Sequence, residues 1–221
     1  LEVQSLGPIT DSNEMGETLE NVLLKLRTNL PYPQLFKSAF GDTAISSQRL
    51  LKALAQFTGS LISANSKYDR VKNGKEKFNV YEQNGYEIFK TNCSICHSEP
   101  LFTNDKFSNN GSGLNKQCDV GRKRITGLSS DSLQFKVPSL RNIQLTPPYM
   151  HDGSIGYITK VINHYTTIDS SLPQLDPVLK TPIRLSDRNK AELLSFLFPL
   201  TDTSFTKNKK YAPEENIIFR H

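Results

Sequence analysis

The pentapeptide Cys93-Ser94-Ile95-Cys96-His97 constrains this 221-residue chain more than any other feature. Two cysteines separated by two residues and followed at once by a histidine form the attachment signal of a c-type haem. The thiols add to the two vinyl groups of the porphyrin, and the imidazole ligates the iron. We therefore predict covalent haem on Cys93, Cys96 and His97, in a protein exported to an oxidising compartment such as the periplasm.

The pentapeptide has two other interpretations, a thioredoxin-like redox pair and half of a zinc site. Zinc needs a second pair of ligands, for which Cys118, His151, His164 and His221 are available but scattered. A thioredoxin-like pair needs alternating strands and helices around it, and here loops are predicted. The scattered ligands argue against zinc and the predicted loops argue against a thioredoxin-like pair, so haem is the favoured interpretation. Three cysteines do not make a disulfide framework, so Cys118 is predicted to be a partly buried free thiol without function.

The chain has a mild positive charge, with 27 basic and 22 acidic residues and a net charge of +5. The basic residues are spread along the sequence, and their short clusters lie at 122–124 and 207–210. This distribution argues against nucleic acid as a partner.

Residues 1–77 are predicted to be a small helical portion. Residues 1–15 lack helical periodicity and contain Gly7-Pro8, so they are predicted to form an irregular arm. The polar stretch 63–77 is predicted to be a linker. Apolar repeats and a serine cap predict three helices between arm and linker, over residues 19–30, 34–40 and 46–61.

Residues 78–221 are predicted to form the haem domain. A helix ending at Phe89 and Lys90 leads into the pentapeptide, and a long loop region with many Gly, Asn, Ser and Pro residues follows. Wrapping around a cofactor would explain such a loop. Two helices close the chain, one after Ser154 and one capped by Ser186. The sequence therefore predicts a mainly α protein.

Several blocks of residues carry a resemblance to a known family. They are Gly85–Pro100 with Leu101-Phe102-Thr103 and Lys106-Phe107, then 135–142, 148–153 and 185–187, and near the amino terminus Gln4, Pro8 and Glu14-Met15. Together they resemble the bacterial di-haem cytochrome c peroxidases and the related MauG proteins. The resemblance implies a class I cytochrome c-like haem domain with long loops at 78–221, and at 1–77 the remainder of a first cytochrome c-like domain.

One departure from the family is large. The family has a second Cys-x-x-Cys-His, ahead of the amino-terminal segment, and this chain has a single one. The chain is either the carboxy-terminal part of a di-haem protein or a one-haem relative. We expect the carboxy-terminal part of a di-haem protein, with a second haem attached upstream, because Gln4, Pro8 and Glu14 have no evident purpose without that haem. The start at Leu1, without a Met or a signal segment, agrees with this expectation.

The residue on the iron face opposite His97 decides the redox potential. In the family this position is Met in the peroxidases and Tyr in the MauG proteins, and the matching position here is Tyr165. Helical periodicity agrees, because Tyr165 shares a face with Ile158, Val161 and Ile162, whereas His164 lies about 100° around the helix. Met150 and His164 remain rivals, and Tyr165 as a core residue bonded to backbone is the plainer reading.

The resemblance and the side-chain chemistry suggest roles for five further residues. Arg141 and Lys136 are predicted to pair with haem propionates, with a solvated surface role as the alternative for Lys136. The carbonyl oxygens of Thr146 and Pro148 would bind a calcium ion. His151 is predicted to support its loop by hydrogen bonding.

The family chemistry is the reduction of hydrogen peroxide to two waters with electrons delivered one at a time. The resemblance implies that the haem on Cys93 and Cys96 takes electrons from a small donor protein, a cytochrome c or a cupredoxin, and passes them to the first haem. Glu14 would be the acid and base and Gln4 would orient peroxide or water, although Glu14 by itself also suits a helix-capping role.

Two classes of function remain open at this point. The first is an enzyme, a peroxidase or a MauG-like oxidase, acting as a homodimer. The second is a one-haem electron carrier or sensor. A Tyr ligand favours the MauG side, because an anionic oxygen donor lowers the potential.

Overall fold

The computed structural model describes residues 1–113 and 118–212. The described chain divides into two compact units, Leu1–Ile62 with residues 211–212, and Ser63–Lys210. The structure is mainly helical, as predicted. None of its described helices is long and apolar enough to cross a membrane.

Four helices form the first unit: α1 (Glu2–Thr10), α2 (Leu19–Thr28), α3 (Tyr32–Phe40) and α4 (Ser47–Ser60). Local signals set their ends. Thr18 and Ser46 accept hydrogen bonds from backbone N–H groups in the first turns of α2 and α4. Gly41 ends α3 with φ 93°, a left-handed conformation that suits glycine. α1 packs against α4, and the buried apolar side chains of the unit are Ile9, Phe36, Ile45 and Leu50.

The prediction of an irregular arm over residues 1–15 is wrong, since α1 occupies most of it. Pro8 lies inside the helix and has no N–H to donate to the Gln4 carbonyl, so one hydrogen bond is lost. The neighbouring turns keep theirs, from Ser5 N to Leu1 O (3.0 Å) and from Asp11 N to Gly7 O (2.9 Å). A single missing bond is therefore tolerated in this short helix.

The second unit is built around the packing of two helices. They are α6 (Val80–Asn92) and α9 (Asp187–Leu197), and Gly85 lies where they meet. A Cβ atom on Gly85 would stand 1.9 Å from the Glu192 carbonyl oxygen, so only glycine permits this approach. The core beside the contact contains Tyr68, Phe89, Phe102, Ile162, Leu193, Phe196, Leu197 and Leu200.

The remaining elements of the second unit are short. α5 (Lys67–Lys72) precedes α6, and α7 (Lys123–Thr126), α8 (Ile158–Thr167) and α10 (Thr203–Thr206) follow it. β1 (Phe107–Ser108) and β2 (Phe135–Lys136) form an antiparallel ribbon in the register Phe107 to Lys136 and Ser108 to Phe135. Single 3-10 turns lie at Ser129–Asp131, Ile143–Leu145, Pro177–Lys180, Phe198–Leu200 and Lys209–Tyr211.

The linker predicted over residues 63–77 is also wrong. Ser66 is fully buried and forms a reciprocal capping box with Asp69 at the start of α5, and Tyr68 belongs to the core with 2% of its surface exposed. The boundary between the units therefore falls after Ile62, earlier than the predicted 77/78 boundary. The polar composition of this segment does not indicate a helix, because its buried residue, Tyr68, packs against core residues that are far away in the sequence.

Candidate haem site

The pentapeptide begins at the last turn of α6. Cys93 closes that helix by donating its N–H to the Phe89 carbonyl (2.8 Å). The chain then turns tightly, because the N–H groups of Cys96 (3.2 Å) and His97 (2.9 Å) both bond to the Cys93 carbonyl. Both cysteines are free and partly buried. The turn thus holds two thiols and one imidazole within a single short backbone loop.

The environment of His97 leaves one ring nitrogen free to bind iron. Its Nδ1 lies 3.1 Å from the Phe102 carbonyl oxygen and 3.1 Å from the Pro138 carbonyl oxygen. Carbonyls only accept hydrogen bonds, so Nδ1 carries the proton and Nε2 keeps its lone pair. Burial lowers the pKa of His97, which favours the neutral ring. A neutral imidazole held through its other nitrogen is the usual arrangement of a metal-ligating histidine.

The state of the cysteines disfavours the other two interpretations. Burial raises the pKa of the Cys93 thiol to about 12, with a smaller contribution from Cys96, whereas a thioredoxin-like pair needs a lowered pKa. Within residues 1–113 and 118–212, no three His, Cys, Asp or Glu side chains gather into a metal-binding cluster. His221 lies outside the described residues. Cys118 is exposed, so the prediction that it is partly buried is wrong.

Asn110 brings the three candidate distal ligands together. Its Nδ2 donates to the Tyr165 hydroxyl (3.3 Å) and lies 3.5 Å from the Met150 sulfur. Its carbonyl oxygen is 2.8 Å from Nε2 of His164. Because that contact occupies Nε2 of His164, Tyr165 and Met150 are the stronger candidates. Sequence reasoning missed Asn110, and no local signal marks it, since its partners are 40, 54 and 55 residues away.

Tyr165 and the two cysteines share one electrostatic environment. Burial raises the pKa of the Tyr165 hydroxyl, the Asn110 hydrogen bond opposes this, and the ionised forms of Cys93 and Cys96 raise it further. The buried position of Tyr165 agrees with its inward helical phase. Its partner is a side chain rather than backbone, which distinguishes it from a plain core tyrosine. Ligation of iron by Tyr165 stays a prediction.

Comparison of the sequence with known proteins points to a family of haem proteins. A family model described as di-haem cytochrome c peroxidase matches residues 1–77. The methylamine utilization protein MauG of Methylorubrum extorquens is 34% identical over 203 residues, covering 89% of this chain and 57% of the relative. Cytochrome c551 peroxidase of Nitrosomonas europaea is 35% identical, covering 73% of this chain and 50% of the relative.

The chain belongs to the di-haem cytochrome c peroxidase and MauG family. The crystal structure of a MauG-like protein associated with microbial copper homeostasis superposes with a TM-score of 0.80 at 29% identity, covering 96% of this chain and 71% of that chain. The prediction of a cytochrome c-like fold is thereby confirmed. The chain spans about half to three fifths of the length of the two relatives.

The residues of this family member fit the c-type haem that the family implies. Two thiols and one neutral imidazole nitrogen are available on one short turn, and the Tyr165 hydroxyl is buried and bonded to Asn110. The Asn110 side chain contacts both the Met150 sulfur and the Tyr165 hydroxyl, the two stronger candidates for the distal ligand.

Arg141 has several partners within the chain, and its predicted pairing with a haem propionate stays a prediction. Its guanidinium forms a bidentate ion pair with Asp69 (2.8 and 2.9 Å) and donates twice to the Pro100 carbonyl (2.7 and 3.0 Å). The guanidinium also lies over the rings of Tyr68 and Phe102. Arg141 thus joins α5 to the loop after the pentapeptide. Sequence could not show this, because Asp69 is 72 residues away.

Lys136 lies on the surface, in agreement with the alternative role predicted for it. Its ammonium pairs with Asp105 at 2.8 Å, and both side chains are more than half exposed. His151 supports its loop, as predicted, through a 3.2 Å hydrogen bond between Nδ1 and the Ser112 hydroxyl. Its ring also stacks on Phe135 with 3.9 Å between centroids.

Gln4 and Glu14 lie in the first unit and are both exposed. Gln4 and Pro8 share a face of α1, one turn apart. The Pro8 carbonyl accepts a hydrogen bond from Met15 (3.1 Å), which ties the turn carrying Glu14 to this helix. The backbone therefore brings together the three positions that the family resemblance singled out.

The helix-capping interpretation of Glu14 is not supported. Thr18 caps α2, since its hydroxyl accepts a hydrogen bond from Asn21 N (3.2 Å). The acid next to this cap is Glu17, whose carboxylate accepts from Thr18 N (2.9 Å) and Asn21 Nδ2 (3.1 Å) and pairs with Lys25. Glu14 precedes α2 by a full turn of chain and donates its N–H to the Asp11 carbonyl. The acid–base role that the family resemblance implies for Glu14 stays a prediction.

The calcium prediction stays a prediction. Thr146 is exposed and follows the Ile143–Leu145 turn, and Pro148 follows two residues later. Nothing in the described contacts tests whether their carbonyl oxygens bind a cation.

The ion pair between Asp69 and Arg141 predicts a pH-dependent contribution to stability. Burial raises the pKa of Asp69, but hydrogen bonds from Arg141 and Ser66 outweigh it, so the net shift is downward. A folded-state pKa below the unfolded value means that the stabilisation is present above the ordinary carboxyl range and is lost as the pH falls through the lowered value.

We expect Asp69→Asn to lower the free energy of unfolding by about 3 kcal/mol at neutral pH, because it leaves a guanidinium charge without its partner in a site where both side chains are 12% exposed. Denaturant titration of the haem-loaded chain measures this, and the difference from wild type should shrink below the usual carboxyl pKa. Glu87→Gln, in an exposed pair with Lys90, is the control. A loss no larger than in this control would contradict the assignment.

Proposed function

We propose that this chain carries the electron-transfer haem of a di-haem cytochrome c peroxidase, bound by Cys93, Cys96 and His97. The observation that carries the proposal is the turn with two free thiols and a histidine whose Nδ1 is held by two carbonyls. Family membership supports the peroxidase or oxidase chemistry. The electrons would come from a small donor protein, a cytochrome c or a cupredoxin.

The residues of the second unit have separate tasks in this proposal. Cys93 and Cys96 would hold the porphyrin through their thiols, and Nε2 of His97 would be available to its iron. Phe102 and Pro138 fix the orientation of the imidazole with their carbonyls. Asn110 orients the Tyr165 hydroxyl or the Met150 sulfur on the other side. When bound, the haem supplies reversible one-electron chemistry.

The first unit would serve the peroxide-reducing centre, whose haem we propose is carried by an upstream Cys-x-x-Cys-His of the complete protein. Glu14 accepts a proton from one peroxide oxygen and returns it to the other, which helps the O–O bond break heterolytically. Gln4 orients peroxide or a water molecule by hydrogen bonding. The match of the family model to residues 1–77, which contain both side chains, supports this division of labour.

A MauG-like oxidase is the second candidate. The hydrogen bond from Asn110 to Tyr165 favours it, because a buried tyrosine hydroxyl held by a side chain offers an oxygen ligand. Oxygen ligation lowers the reduction potential relative to methionine. A one-haem carrier without catalysis is the third possibility. Export to the periplasm, a homodimer and a bound calcium belong to the same proposal and rest on the family resemblance alone.

The haem content and peroxide turnover of the complete gene product test the proposal. We expect two covalent haems and oxidation of a reduced donor protein that depends on hydrogen peroxide. One haem with no turnover would instead support the carrier. Two haems with oxidation of a protein side chain, and little consumption of donor, would support the MauG-like oxidase.

Replacing Tyr165 tests the distal ligand. If Tyr165 ligates the iron, Tyr165→Met should raise the reduction potential of the haem by on the order of 0.1 V, since axial ligands set this potential over a wide range. Spectroelectrochemical titration of the haem-loaded chain measures it. Tyr157→Phe, at an exposed position just before α8, is the matched control. Unchanged potential in Tyr165→Met, together with a shift in Met150→Leu, would assign the ligand to Met150.

A further inference from the structure

The β1–β2 ribbon runs from one side of the proposed haem site to the other. Just before β1, the Lys106 carbonyl accepts a hydrogen bond from Val137 (2.8 Å), and the next residue, Pro138, holds His97. Just after β1, Asn110 contacts Tyr165 and Met150. The ribbon therefore passes along the edge of the space between His97 and the candidate distal ligands.

The two side chains of β1 point to opposite faces, as in any strand. Ser108 bonds to Asp176 (2.7 Å) on the inner side. Phe107 faces outward and is 40% exposed, with the Arg122 guanidinium 4.4 Å from its ring centroid. The outer face of the ribbon thus carries the aromatic ring of Phe107 and the guanidinium of Arg122 stacked on it.

A basic and apolar surface continues from this point, and we refer to it as the 122–128 surface. It comprises Phe107 together with Arg122, Lys123, Arg124, Ile125 and Leu128. Ile125 is 80% exposed and Leu128 58% exposed. A backbone hydrogen bond from Arg122 to Gln134 (2.9 Å) attaches this surface to the segment leading into β2.

The charge of the 122–128 surface is largely uncompensated. Arg122 has an ion pair with Asp131 at 3.2 Å. Lys123 and Arg124 have no ion pair within residues 1–113 and 118–212. Two free cations beside two exposed aliphatic side chains form a surface that would bind an acidic protein face with an apolar centre, through electrostatic steering and a small apolar contact.

We propose that the 122–128 surface is the docking site of the electron-donor protein, and that this donor carries an acidic face around its own redox centre. The inference rests on the proposed function, because it names the partner of the haem on Cys93 and Cys96. Electron transfer slows steeply with distance, so a donor must approach the edge of the haem. The ribbon carrying Phe107 connects the segment that holds His97 with Asn110, which contacts the candidate distal ligands, so we expect the donor to approach on its outer side. A small, transient interface suits repeated encounters with a donor.

Two forms of one redox protein test the proposal. The probes are mitochondrial cytochrome c, which is basic, and the same protein with succinylated lysines, which is acidic. Electron transfer from the reduced, haem-loaded full chain to each ferric probe is followed by stopped flow over a range of ionic strength. We expect the acidic probe to react faster at low salt and its rate constant to fall as salt rises.

Lys123→Glu with Arg124→Glu should lower the rate constant for the acidic probe about tenfold or more at low salt, because steering depends on local charge. Lys209→Glu with Lys210→Glu changes the net charge by the same amount at the other basic cluster and serves as the control. Ile125→Ser should lower the rate at all salt concentrations. Haem spectra and circular dichroism check that each variant is folded.

Equal effects of the two charge-reversed pairs, or no effect of either, would overturn the docking site. Peroxide turnover by the complete protein separates this outcome from failure of the proposed function. Turnover that is insensitive to the 123 and 124 substitutions keeps the function and rejects the surface. A strong effect on probe electron transfer, without any peroxide turnover, keeps the surface and rejects the peroxidase.

Discussion

Replacing Cys93 and Cys96 together by serine should remove covalently bound haem completely. The two thiols are the groups that add to the porphyrin vinyls, and both are free in the structure. Intact mass after acid denaturation measures the result. The wild-type chain, matured with a haem-attachment system, should exceed its peptide mass by one haem, whereas the double variant should show the peptide mass alone.

The third cysteine provides the control for this experiment. Cys118→Ser should keep the full haem mass, because Cys118 lies on the surface and outside the pentapeptide. Each single substitution at Cys93 or Cys96 should leave one thioether and a reduced yield. A haem adduct that survived in the double variant would refute the attachment site.

Glu14→Gln should lower peroxide turnover of the complete gene product by about 10²–10⁴-fold, the usual contribution of a positioned acid and base. The substitution keeps the size of the side chain and removes the carboxylate that we propose moves the proton. Glu14 is exposed in the structure and Thr18 supplies the cap of α2, so we expect no loss of stability. Steady-state oxidation of a reduced donor by hydrogen peroxide is the measurement.

Glu20→Gln is the matched control, since Glu20 is an exposed acid in the first turn of α2. Its turnover should equal that of the wild type. If Glu14→Gln also kept normal turnover, with two haems bound, the proton-transfer role would have to be given to another residue.

Several elements could be predicted from sequence because short-range interactions determine them. Ser46 and Ser186 accept hydrogen bonds from N–H groups three residues ahead, so the starts of α4 and α9 are visible in the sequence itself. Gly41 likewise marks the end of α3. The helical phase of Tyr165 follows from periodicity alone.

The wrong predictions share a different cause. α1 contains a proline, and four of the six residues of α5 are charged, so neither segment shows a helical pattern in the sequence. Packing against other parts of the same unit stabilises them. The ion pair of Arg141 with Asp69 in α5 also joins residues that are far apart in the sequence, so no local pattern shows it.

The sequence by itself determined the chemistry of the site, since five consecutive residues contain both thiols and the imidazole at the spacing that haem attachment requires. Only the tertiary structure decided how that chemistry is held. The carbonyls of Phe102 and Pro138 set the tautomer of His97, and Asn110 joins the candidate distal ligands. These contacts join residues far apart in the chain, and packing of α6 against α9 and of the long loops around them creates them. A pattern of neighbouring residues in the sequence cannot show contacts between residues so far apart in the chain.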